Sequence, residues 1–240
     1  MSTTPTRRKP SWVVPLAILT ITALLIALVV NVNHGQNGES SEPQQSGAAE
    51  VHSSQQPKVH DAELRQEGDL LTAGPVDAPV VLVVFSDYQC PYCAKWNKDT
   101  LPTMMSHAEA GDLRIEWRDI NVLGPASKVA ARAAHAAAQQ DAFWEYHDAL
   151  FADGERRPKS ELGEKALTEL AKEQGLDVDR FTTDMASEET AQVVARNERL
   201  GVELGATSTP VFTLGGQPIV GAQPTEVFTQ AFNDALAEAE

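Results

Sequence analysis

The sequence predicts an α/β domain with a helical middle, carried behind one N-terminal transmembrane helix. Three observations lead there. Residues 12 to 30, WVVPLAILTITALLIALVV, form an apolar run without a charge. Val80 to Phe85 is a continuous β-branched and aromatic run, the pattern of a strand buried on both faces. Beyond about residue 125 the pattern turns helical and alanine-rich until strand character returns after Thr209. Composition agrees with one domain plus accessory segments. A chain of 240 residues with 42% hydrophobic content can bury a core, and two cysteines cannot build a disulfide-rich scaffold or a four-thiolate metal site. A net charge of −15 argues against nucleic acid as a partner, which calls for a basic footprint.

The accessory segments come first. At about 1.5 Å per helical residue the apolar run spans roughly 28 Å, close to the ~30 Å hydrocarbon thickness. Arg7, Arg8 and Lys9 precede it, and no acidic residue occurs before Glu39. The positive-inside rule therefore makes residues 1–11 a cytoplasmic basic tail, 12–32 a single-pass anchor in the cell membrane, and the remainder extracytoplasmic. A cleaved signal peptide is the rival reading; its apolar core is usually about 7–15 residues and ends in an A-x-A-like site, which Val30-Asn31-Val32-Asn33 does not offer. Either reading exports the domain. Residues 33–58 are Ser, Gln, Gly, Asn, Glu and Pro with almost no large apolar side chain, so they read as a disordered tether with an r.m.s. reach of about 28 Å. The domain proper is placed at 59–240.

The strand at Val80–Phe85 leads into Ser86-Asp87-Tyr88-Gln89-Cys90-Pro91-Tyr92-Cys93, and the residues from Cys93 onward look helical. Strand, Cys-x-x-Cys, helix is the thioredoxin-like redox arrangement. Pro91 suits the first helical turn, where its missing N–H costs nothing. Cys90 then sits at the helix entrance, where free N–H groups and the positive dipole end stabilise a thiolate. Cys93 lies one turn further on the same face, so one exposed sulfur can form a mixed disulfide and the second can resolve it. A zinc half-site and a purely structural disulfide are the alternatives. The six histidines (His34, His52, His60, His107, His135 and His147) contain no close H-x3–5-H pair, so no metal and no cofactor are expected.

Leu113 to Ile120 alternates apolar and polar residues and reads as a half-buried strand. Helices follow: one across residues 126–139, one from Ala142 to Phe151 capped by Asp141, and one opened by Ser160 and closed at Gly175. Asp177 and Ser187 are further N-cap candidates, and Gly205 a closing residue. His135, Phe143, Trp144, Tyr146 and His147 recur at helical spacing and read as packing residues. Val211–Leu214 and Gln217–Val220 flank Gly215-Gly216, a two-residue hairpin turn, and Pro218 marks the second strand as a sheet edge. Pro210 before this hairpin fits a cis-proline loop beside Cys90, with the Thr209 backbone open to an extended substrate. A last helix starts at Pro224-Thr225 and runs to Ala237.

Phe85 to Cys93, Thr209-Pro210, Gly215-Gly216 and Gly221-Ala222-Gln223-Pro224 together resemble the DsbA-like family of exported thiol–disulfide oxidoreductases, in particular its membrane-anchored Gram-positive members. The resemblance covers roughly three quarters of the chain, from about residue 60 to 240. It implies a thioredoxin-like fold with a helical insertion at about 125–204, Cys90 as nucleophile, Cys93 as resolving thiol, and Pro91, Tyr92, Thr209 and Pro210 as support. Two departures stand out. The buried Glu that many members carry six residues before the first Cys is Val84 here; Asp87 could stand in, though local turn chemistry is its simpler role. Pro-Tyr replaces the Pro-His of the strongest oxidant, so a potential less extreme than about −120 mV is expected.

The function expected is an extracytoplasmic enzyme that introduces disulfides into exported proteins with reduced cysteines and is recycled by a membrane or extracytoplasmic redox partner. A reductase or isomerase would use the same site in the other direction, and a redox-silent peptide-binding module would use only the Pro210 groove. No added dimerisation domain is visible, so a monomer is expected.

Overall fold

The computed structural model describes residues 62–239; the tail, anchor and tether expected at 1–58 lie outside the described residues. Among the described residues no helix is long and apolar enough to cross a membrane. The sheet has five strands: β1 (Thr72–Ala73), β2 (Val80–Ser86), β3 (Leu113–Asp119), β4 (Val211–Leu214) and β5 (Gln217–Val220). Their order is β1-β3-β2-β4-β5, with β2 and β3 parallel and every other pair antiparallel. β2 is central and wholly buried. Its alternate residues serve two cores: Val80, Leu82 and Val84 face one side, and Val81, Val83 and Phe85 the other. The hairpin turns at Gly215 (φ 54°) and Gly216 (φ 75°), both left-handed as a type I′ turn requires, and Pro218 lies on the edge strand β5.

The helices are α1 (Pro91–Asp99), α2 (Leu101–Ala110), α3 (Pro125–Ala138), α4 (Phe143–Leu150), α5 (Glu164–Glu173), α6 (Val178–Ala186), α7 (Glu188–Glu203) and α8 (Thr225–Ala239). The five from α3 to α7 form the insertion between β3 and β4. The larger core gathers α1, α2, α8 and most of the insertion around Trp96, Trp117, Phe212 and Phe228. The end of α7 covers the opposite sheet face. Gly201 permits that contact, since a Cβ there would stand 2.5 Å from Cγ2 of Ile120.

Asp177 and Ser187 cap α6 and α7, accepting from the backbone N–H of Arg180 and Thr190. Two expected caps fail. Asp141 takes a left-handed conformation (φ 58°), and α4 begins at Phe143 without a side-chain cap. Ser160 falls in a 3-10 turn, and α5 starts at Glu164 behind Gly163. In both places the chain turns before the helix, so the polar side chain stands too early to reach an N-terminal N–H.

The reading of β3 as half-buried is also corrected. Its apolar side, Leu113, Ile115 and Trp117, faces the larger core, but Arg114, Glu116 and Arg118 on the other side are buried as well. They satisfy one another beneath residues 64–71 and α7. Glu116 accepts from the backbone N–H of Leu64 and Arg65, from Arg114 Nε at 2.9 Å and from Arg118 at 2.9 Å, while Arg118 also reaches Asp69. Burial raises the Glu116 carboxyl pKa, but these donors, Arg114 first, leave it below its ordinary value.

Candidate active site

The C-terminal end of β2 delivers the chain into a tight turn. The buried Asp87 organises it: Oδ1 accepts from the Gln89 N–H (2.8 Å) and the Ser127 hydroxyl (2.6 Å), and Oδ2 from the Leu123 N–H (2.8 Å). Gln89 Nε2 donates in turn to Ser127 Oγ and to the Leu123 carbonyl. Asp87 thus performs the turn chemistry read from its type and, in addition, clamps the β3–α3 loop against the Cys90 turn.

Cys90 is the N-cap residue of α1, in extended conformation (φ −85°, ψ 118°), with Pro91 opening the helix. Both cysteines are free thiols. The Cys90 pKa is lowered to about 6. Hydrogen bonding with the Cys93 thiol contributes most; burial opposes it; the Thr209 side chain and the backbone N–H groups of Cys93 and Tyr92 add to the lowering. Burial pushes the Cys93 thiol well above its usual range, and Cys90 pushes it the same way. Cys90 is therefore the more acidic of the two thiols.

Thr209–Pro210 is a cis peptide, and the Thr209 carbonyl accepts from the Cys90 thiol at 3.3 Å. Tyr92 is 64% exposed on the rim. All six expected site residues thus meet at one end of the sheet. One expectation changes: Cys90 is recessed, only 4% exposed, because α1 and the Thr209 loop close over it. Thr209 likewise spends its carbonyl on the sulfur in the dithiol form.

Sequence reasoning missed the polar groups beneath the thiols. Ser86, at the end of β2, lies close enough to Cys93 to favour its charged form, yet its buried hydroxyl completes no hydrogen bond. Asp119 ends β3 in direct register with Ser86. The buried His147, read as packing, also bridges Tyr88 and Asn97 of α1, at 3.0 and 2.6 Å. The position of Ser86 and Asp119 at the C-terminal ends of parallel strands was the available signal; their register was not available.

Over residues 66–234 the chain matches the family model described as thioredoxin. It is 34% identical over 168 residues to Na(+)/H(+) antiporter NhaA 1 of Salinispora arenicola, a match covering 68% of this chain and 24% of that protein. The chain spans about a quarter of the length of such antiporter relatives. It is 28% identical over 153 residues to disulfide bond formation protein D of Bacillus subtilis, covering 61% of this chain and 68% of that protein. Among solved structures, a single-residue variant of alpha-DsbA1 of Wolbachia pipientis shares the fold, with TM-score 0.66 and 17% identity over 75% of this chain and 97% of that one. The family match takes in most of the described domain, the dithiol and the Thr209–Pro210 loop, and the chain belongs to the thioredoxin family.

Proposed function

We propose that this protein is a membrane-tethered, extracytoplasmic thiol–disulfide oxidoreductase that donates its Cys90–Cys93 disulfide to exported proteins. The observation that carries the reading is the divergence of the two thiols: Cys90 lowered to about 6, Cys93 raised by burial. A thiolate stabilised only in the reduced protein favours the dithiol, so the disulfide form is oxidising. A substrate thiolate attacks Cys90 of the oxidised protein, and Cys93 leaves as the second thiol of the pair. A second substrate thiolate then attacks the substrate sulfur of the mixed disulfide, and Cys90 leaves as thiolate. The substrate gains a disulfide, and a redox partner returns the pair to the oxidised form. The 64% exposed Tyr92 offers an approaching peptide its first apolar contact.

Cys93→Ala removes the resolving thiol and should trap substrate on Cys90 as DTT-sensitive adducts in cells. A strain without such adducts, or a wild-type pair found reduced in vivo with a potential near about −270 mV, the value of thioredoxin, overturns the oxidase reading.

A further inference from the structure

We propose that the cavity between residues 64–71 and α7 binds a small organic carboxylate, its charge held by Asn197, His135 and Arg196 and its apolar body by Leu64, Leu70, Val193 and Leu200. The cavity lies on the sheet face away from the dithiol, so the proposal does not rest on the exchange chemistry. Its volume is about 450 Å³, within the roughly 300–1,000 Å³ usual for small-molecule sites. One wall is a stripe of α7 at helical spacing: Glu189, Val193, Arg196, Asn197, Leu200 and Glu203. Leu64 and Leu70, both more than 40% exposed, form the opposite lip. Arg118 of β3 and His135 of α3 also line the cavity.

The buried side chains here hold donors that the fold leaves unused. Asn197 is 8% exposed, and its amide makes no hydrogen bond among the described residues. A buried amide without a partner is costly unless a ligand supplies one. His135 is 6% exposed, and its Nδ1 meets the Thr190 hydroxyl at 3.0 Å. That hydroxyl already accepts from Gln139 Nε2 and has no other acceptor among the described residues, so it donates to Nδ1. The imidazole proton then sits on Nε2, which has no partner of its own. Burial keeps His135 below its ordinary pKa and therefore neutral, against the opposing pull of Glu189 and Asp69. Arg118 Nε is a third donor without a hydrogen bond.

The charges decide the sign of the ligand. Asp69 lines the cavity, but both its oxygens are committed, Oδ1 to the Leu71 N–H and Oδ2 to Arg118. Glu189 and Glu203 stand exposed at the two ends of the α7 stripe. Between them Arg196 and Arg199 are exposed and form no ion pair among the described residues. In a chain with 34 acids and 19 bases, two guanidinium groups are thus left unpaired beside a donor-lined floor. The middle of the cavity favours an anion. Neutral Asn197 and His135 suit a singly charged acceptor that takes two or three N–H groups. The apolar side chains on both walls call for hydrocarbon behind it, which inorganic phosphate lacks.

The test titrates full-length protein in detergent, by calorimetry, with sodium hexanoate and sodium benzoate, against hexan-1-ol and inorganic phosphate. At least one carboxylate should bind saturably at one site per chain, at least about tenfold tighter than the alcohol or phosphate. Asn197→Leu keeps the volume and removes the donor, and should weaken that carboxylate about tenfold. Its urea midpoint should stay level or rise, because an unpartnered buried amide is gone; a merely structural Asn197 would lower it. Arg196→Gln, an exposed change, should weaken binding at least about threefold. Saturable binding of neither carboxylate by the wild type overturns the proposal, as does unchanged affinity in either variant. Phosphate or hexan-1-ol binding as tightly as the carboxylate overturns the ligand class. If Asn197→Leu fails to fold, Arg196→Gln decides alone.

Discussion

Cys90 and Cys93 carry the same functional group, 9.0 being the ordinary thiol value for both, and their surroundings separate them. Cys90 receives hydrogen bonds at a helix entrance; Cys93 is enclosed one turn later. The largest influence on Cys90 is Cys93 itself, so the low value belongs to the pair. Replacing Cys93 with Ala should therefore raise the Cys90 pKa above about 6, read as a shift of the thiolate's ultraviolet absorbance toward alkaline pH. A midpoint that stays put would assign the lowering to the helix N–H groups and Thr209 instead. Replacing the exposed Tyr92 with Ala should leave that midpoint unchanged and weaken only exchange with peptide substrates, measurable as a higher KM at equal reactivity toward glutathione.

At the scale of elements, α4 is fastened to α1 through His147. Asn97 Nδ2 donates to Asp148, so Asn97 Oδ1 faces His147 and accepts from its Nε2–H; Nδ1 then accepts from the Tyr88 hydroxyl. Burial lowers the His147 pKa from 6.5 to about 3. A base with a depressed folded pKa contributes stability above its unfolded value, and that contribution is lost as pH falls from about 6.5 toward 3. Acid unfolding should be shallower in His147→Phe across this range, although this variant orphans Tyr88 and Asn97 and should be less stable at pH 7 by about 1–3 kcal/mol. β3 offers a second case. Glu116→Ala would leave Arg114 and Arg118 buried without their shared acceptor and release residues 64–65, so a loss of about 3–5 kcal/mol in urea unfolding is expected.

For the whole molecule, the proposed anchor and tether act by location. The domain has its own cores on both faces of the sheet. Deleting residues 1–58 should therefore leave thiol exchange with glutathione intact while moving the protein from the membrane pellet to the soluble fraction. Full-length protein found in the cytosol, or a truncated domain that still pellets with membranes, would refute the anchor. The antiporter relatives match this chain over only about a quarter of their length, so ion transport is not carried across.

The residue pattern by itself determined the central strand, the Cys-x-x-Cys helix mouth, the hairpin at Gly215-Gly216 and the edge at Pro218. Each is a local consequence of side-chain shape, backbone freedom or a missing N–H, and needs no distant partner. Helix caps were legible only where the turn preceding them was regular, as at Asp177 and Ser187, and not at Asp141 or Ser160. Tertiary structure alone decided the rest. Alternation in β3 says which residues share a face, but whether the polar face meets water depends on what packs over it; here residues 64–71 and α7 bury it, and ion pairing makes that tolerable. The pairing of Ser86 with Asp119 depends on the register of strands separated by more than two dozen residues, and Thr209 reaches Cys90 from 119 positions away. Such contacts are set by how whole elements pack, and no window along the chain contains both partners.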